Sequence, residues 1–178
     1  MTGLLGVALL GAFVGLCSWT ADPDRYPSGF GSLADYAHAK CVKFGLWIEP
    51  GRVSLATVGQ PGLAQEPWLA TRGNQYGSAL NAQICLSGAA GRKWVMDQLV
   101  ALIDRVRPDD RKWDNNFWIN GDRAGHGHGP DDGNMAHVQA PSGTPPELRH
   151  RYPHPLTQNV SGAGARLEFG PFHVGVAG

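Results

Sequence analysis

Pro108-Asp109-Asp110-Arg111-Lys112-Trp113-Asp114-Asn115-Asn116-Phe117-Trp118 decides the fold, because it sets an acid, Asp114, where a short buried strand should end. Residues 111–113 read as that strand. They follow residues 93–106, whose apolar members Trp94, Val95, Leu99, Leu102, Ile103 and Val106 recur at helical spacing. A helix, a tight turn over 107–110 and a strand ending in a carboxylate make an α/β unit whose strand tip presents chemistry. An Asp followed by two Asn residues is also a common way to open a loop after a strand. Spacing alone leaves both readings open.

Outward from this stretch, composition sets the bounds. A chain of 178 residues with 42% hydrophobic content can bury an ordinary core as one domain. A closed (β/α)8 barrel typically needs about 250 residues, more than this chain has. The formal net charge is zero, with neither a basic stripe for nucleic acid nor an acidic tail. Cys17, Cys41 and Cys85 lack C-x-x-C spacing, which indicates neither a disulfide framework nor a zinc site; they read as buried thiols. Six Trp residues suit both core packing and stacking on sugars.

Residues 4–17 form an apolar run shorter than the roughly 20 residues of a membrane span. No Lys or Arg precedes Leu4, as an export signal requires, so residues 1–18 read as a poor signal or as sequence foreign to a domain over 19–178. Retention in the cytoplasm is favoured over export. Ser32 is placed to cap a short helix over 33–39, and the apolar run 42–48 reads as a buried parallel strand ending at Trp47-Ile48-Glu49-Pro50. Residues 52–91 are loop-rich, with a short strand expected over 82–86. Residues 120–132, rich in glycine, read as a mobile loop, with His126, His128 and Asp131 as a less favoured metal set. Strands are expected over 156–160 and from 172 to 176.

Several blocks carry a family resemblance. Lys112-Trp113-Asp114-x-Asn116 is similar to a segment of the α-galactosidases (melibiases) of glycoside hydrolase family 36. So are Trp19-Thr20-x-Asp22-Pro23-x-Arg25-Tyr26-Pro27-x-Gly29, Leu33-Ala34-Asp35-Tyr36, Lys43-Phe44-Gly45-Leu46-Trp47-Ile48-Glu49-Pro50 and Ser161-Gly162-x-Gly164-x-Arg166-Leu167. They occur in the family's order from Trp19 onward. The resemblance implies an α/β fold, a partial (β/α)8 TIM barrel of about strands three to six with their helices. It implies a retaining glycosidase acting on a terminal α-galactoside of an oligosaccharide or glycoconjugate, with no cofactor. Asp114 is then the catalytic nucleophile and Trp47 lines the galactose pocket. Lys112, on the same strand and face as Asp114, contacts a sugar hydroxyl, and Ser161 and Gly162 belong to a substrate-binding motif. Glu49 reads as structural.

The sequence departs from the family at identifiable places. Gly51 stands where Glu is usual, Val160 replaces a thiol, and no paired acids precede Trp19. The family helix near 135–152 carries Pro141, Pro145 and Pro146; a proline inside a helix costs about 3 kcal/mol, so two pieces are expected. The family's acid/base Asp lies beyond a segment matched by 173–178, where this chain has no carboxylate. A weakly active or inactive fragment is the expectation. The alternatives are a non-catalytic carbohydrate-binding remnant and, less favoured, a metal-dependent hydrolase using His126 and His128.

Overall fold

The computed structural model describes residues 4–7, 20–116, 121–139, 144–154 and 156–159. Its centre is a four-stranded, all-parallel sheet in the order β1 (Leu4–Val7), β2 (Lys43–Ile48), β5 (Asp110–Trp113), β6 (Leu156–Asn159). Parallel neighbours need long crossovers. Helix α1 (Gly29–Ala39) lies on the first, α2 (Ala89–Val106) on the second, and α3 (Gly133–Gln139) with α4 (Thr144–Arg151) on the third. The second crossover also contains an antiparallel pair, β3 (Arg52–Ser54) and β4 (Asn81–Gln83), with Val53 opposite Ala82.

Burial follows from this layering. In β2, residues from Phe44 to Leu46 and Ile48 are all buried, the near-continuous pattern of a parallel strand covered on both faces. Phe30, Ala34 and Ala37 of α1 join Phe44, Leu46 and Ile48 of β2 and Val95, Leu99, Leu102, Ile103 and Val106 of α2 in one core. The two helices meet closely at Gly31, where a Cβ would stand 2.9 Å from the Arg105 carbonyl oxygen. Val53, Ala82 and Ile84 of the β3–β4 excursion belong to the same core. Among the described residues no helix is long and apolar enough to cross a membrane.

Element ends have local causes. Cys41, at φ 58°, lets the chain leave α1, and the Val42 N–H donates back to the Ala37 carbonyl over 3.0 Å. Arg107, at φ 53°, closes α2 with its N–H on the Ile103 carbonyl at 2.7 Å, and Pro108 follows. Asp109 then joins three elements. Its N–H donates to the Phe44 carbonyl over 2.7 Å, while its Oδ2 accepts from the Phe44 N–H at 2.8 Å and lies 2.7 Å from His38 Nε2 at the end of α1.

Several expectations need correction. Helix α1 begins at Gly29, with Ser28 rather than Ser32 at the N-cap; the Ser32 hydroxyl instead donates back to the Gly29 carbonyl over 2.8 Å. Helix α2 begins at Ala89, four residues before the first residue expected, because a glycine N-cap at Gly88 lacks the side-chain signal that marks a start. Leu4–Val7 pairs in parallel with Lys43–Leu46, so this part of residues 1–18 is built into the sheet rather than foreign to the fold. Cys41 is exposed, and only Cys85 is a buried thiol among the described cysteines. The short strand expected over 82–86 stops at Gln83, with Ile84 forming an isolated bridge to Leu69. The proline-bearing stretch does hold two separate helices. Residues 172–176 and Val160 lie outside the described residues.

Candidate active site

Register sets the site. Strands β2 and β5 run side by side with Leu46 opposite Arg111, Trp47 opposite Lys112 and Ile48 opposite Trp113. Because paired residues of neighbouring parallel strands project to the same face, Trp47 and Lys112 share a face at the C-terminal ends of their strands. Lys112 is exposed between buried Arg111 and Trp113, and Trp47 is half-buried. Asp114 follows β5 directly, its N–H donating to the Ile48 carbonyl over 2.8 Å and so extending the ladder by one bond.

Both carboxylate oxygens of Asp114 are held. The Trp47 indole Nε1–H donates to Oδ2 over 3.0 Å, and the Asn115 N–H donates to Oδ1 over 2.8 Å. This fixes an acceptor-only group at the tip of β5 against the N–H edge of the indole at the tip of β2. Glu49 lies beside them in a different role. It is 4% exposed, accepts from Arg52 Nη1 on Oε2 at 3.0 Å and accepts from the Asn116 N–H on Oε1 at 2.6 Å. Glu49 thereby anchors the turn that follows Asp114 to the turn that follows β2. Ser161 and Gly162 lie outside the described residues. A cleft of about 430 Å³ lined by Lys43, Arg107, Asp109 and Tyr152 sits by the N-terminal ends of β2 and β5, away from these tips.

The glycine-rich loop after β5 is pinned, where a mobile loop was expected. Asp122 donates its N–H to the Thr71 carbonyl over 2.9 Å and accepts from the Gly73 N–H on Oδ2 at 2.8 Å. Arg123 reaches the Glu66 carbonyl oxygen at 2.6 Å and also its carboxylate. The Arg123 hydrogen bond holds the Glu66 carboxyl below its usual value, against the smaller opposing effect of burial. Burial, then Glu66 itself, pushes the neighbouring Tyr76 hydroxyl up. Among the described residues, the one group of three or more His, Cys or carboxylate ligands able to share an ion is Cys85, His126 and His128; Asp131 is not in it.

A family model described as Melibiase matches residues 11–174. Alpha-galactosidase 2 of Pediococcus pentosaceus is 29% identical over 173 residues, an alignment covering 87% of this chain and 22% of that protein. The chain thus spans about a fifth of that relative's length. The solved structure of the family 36 α-galactosidase AgaA from Geobacillus stearothermophilus superposes with a TM-score of 0.79 at 19% identity, covering 97% of this chain and 25% of that one. A variant of AgaA solved with raffinose gives a TM-score of 0.77 at 19% identity over 98% of this chain and 25% of that one.

Proposed function

The chain belongs to the melibiase family, and on that premise we propose that it forms the nucleophile-bearing part of a retaining α-galactosidase, with Asp114 as the nucleophile. β2, β5 and β6 are assigned to strands three to five of an eight-stranded barrel, with β1 as the strand before them; strand six of the expected run lies outside the described residues. The observation that carries the reading is the Asp114 carboxylate, gripped by the Trp47 indole at 3.0 Å and the Asn115 N–H at 2.8 Å where two neighbouring parallel strands end. Active sites of barrels are assembled at such C-terminal tips from different strands.

The chemistry follows from that placement. A retaining glycosidase needs two carboxyl groups about 5 to 5.5 Å apart, one to attack and one to protonate the leaving oxygen. An Asp114 oxygen bonds to the anomeric carbon as the bond to the leaving group breaks, and water later releases the sugar with the second group acting as base. Trp47 presents a flat apolar face suited to the sugar's apolar side. Exposed Lys112 offers its ammonium to a hydroxyl, and Ser161 and Gly162 keep the substrate-binding role that the resemblance implies. Glu49 is assigned a positioning role, because both its oxygens already hold Arg52 and the Asn116 N–H. The substrate class proposed is a terminal α-galactoside of an oligosaccharide, the chemistry of the raffinose held by the AgaA variant.

Covalent trapping tests this. A slow-reacting fluorinated galactosyl fluoride should lose fluoride and leave its sugar bonded to the peptide carrying Asp114, and Asp114→Ala should abolish both that label and the weak turnover of an aryl α-galactoside expected of the chain. A label on Glu49, or turnover indifferent to Asp114→Ala, overturns the assignment. Galactose binding without any label would replace it with a non-catalytic carbohydrate-binding role.

A further inference from the structure

The loop after β5 and the excursion before α2 close over a sulfur and two imidazoles. Cys85 is 1% exposed and His126 is 6% exposed, while His128 is half-buried. One ligand atom from each lies within 4.8 Å of the other two, and Cys85 Sγ stands 3.4 Å from His128 Nε2. The rings of His126 and His128 meet edge to face at 71°, so they approach the group from different directions.

Hydrogen bonding fixes which nitrogens are available. His126 Nε2 lies 2.8 Å from the Pro67 carbonyl oxygen and His128 Nδ1 lies 2.7 Å from that of Gly129. A carbonyl only accepts, so these two nitrogens carry the hydrogens. Lone pairs remain on His126 Nδ1 and His128 Nε2. His128 Nε2 faces the thiol, but His126 Nδ1 is buried with no hydrogen-bond partner. A simple thiol–imidazole contact therefore explains only half of the arrangement, since a buried polar atom left without a partner is costly.

We infer that Cys85 Sγ, His126 Nδ1 and His128 Nε2 bind a zinc-class divalent cation that clips the loop after β5 to the segment after β4. One thiolate and two imidazoles without a carboxylate select such an ion over magnesium or calcium. Bond lengths of about 2.3 Å to sulfur and 2.0 to 2.1 Å to nitrogen place the two donors roughly 3.5 Å apart across a tetrahedral ion. The observed separation of 3.4 Å matches that geometry. Each imidazole already donates its other N–H to a backbone carbonyl, the support that orients metal-bound histidines. Ser87 Oγ, 2.8 Å from the sulfur, can donate to the thiolate formed when the ion displaces the thiol proton. Three protein ligands leave a fourth position to water.

Cobalt substitution and metal analysis test the inference on the purified chain. About one zinc per chain should be retained, and Co²⁺ titration should produce a thiolate-to-metal charge-transfer band. Cys85→Ser should abolish that band, and His126→Ala or His128→Ala should weaken cobalt binding at least about tenfold. Cys41→Ser and Asp131→Asn should leave it unchanged. If the Cys85 and histidine variants fail to fold by circular dichroism, the wild-type spectrum and that of a chain carrying both Cys17→Ser and Cys41→Ser decide, the band being expected in each. A wild-type chain with no charge-transfer band, or a band lost in Cys41→Ser or in that double variant, overturns the site.

Discussion

Trp47 presents two different groups at the tip of β2, and they can be separated. Its indole offers an aromatic face, and its Nε1–H donates to Oδ2 at 3.0 Å. Trp47→Phe keeps the face and deletes the donor. A hydrogen bond to a charged group contributes about 1.5 to 3 kcal/mol. The bond also holds the attacking oxygen in place, so its loss should slow turnover of an aryl α-galactoside about ten- to a hundredfold through kcat, with KM little changed. A rise in KM at constant kcat would assign Trp47 to sugar binding alone. Lys112 and Asp114 are legible side by side in the sequence because a strand's period of two is local. The Trp47–Asp114 bond is not, since its partners stand 67 residues apart and meet only through the register of β2 against β5.

Asp109 is the joint between α1, β2 and β5. Burial pushes its carboxyl up, but the Phe44 N–H and then His38 outweigh that and hold it below its ordinary value of 3.8. A carboxyl whose folded value is depressed stabilises the fold above its unfolded value, and that contribution disappears as pH falls through the folded one. Asp109→Asn should accordingly lower stability near neutral pH by about 1 kcal/mol. The gap from wild type should close as the pH is brought below about 3.8. Urea unfolding of both proteins at neutral and acidic pH checks this, and a gap independent of pH would show that lost packing, not the charge, is responsible. The sequence placed Asp109 in a turn over 107–110, but β5 already begins at Asp110 and the Asp109 N–H bonds to β2; such distant partners are invisible in a residue's own neighbourhood.

At the scale of the molecule, the excursion between β2 and α2 is not an appendage. Val53, Ala82 and Ile84 lie in the same core as Phe44 and Leu99, and a Cβ on Gly91 of α2 would stand 2.6 Å from Ile84 Cγ2. Ile84 is fully buried. Ile84→Ala should cost about 2 to 5 kcal/mol. It should lower the midpoint of a single transition, seen together in near-ultraviolet and far-ultraviolet circular dichroism. Two separated transitions would show that β3 and β4 unfold apart from the parallel sheet.

By itself the sequence determined the helices, the parallel strands β2, β5 and β6, and the acid at the tip of β5. Each is written in local signals: apolar spacing along α2, the apolar run of β2, the prolines that separate α3 from α4, and the Asp-Asn-Asn that ends β5. The family resemblance rests on the same stretches. Only the tertiary structure decided what those signals leave open. It drew Leu4–Val7 into the sheet and turned Cys41 outward at a left-handed residue after α1. It also brought Cys85 to His128 across 43 residues of chain. Strand pairing and loop docking depend on which surfaces remain to be covered once the core has formed, and that is a property of the assembled layers rather than of any one stretch.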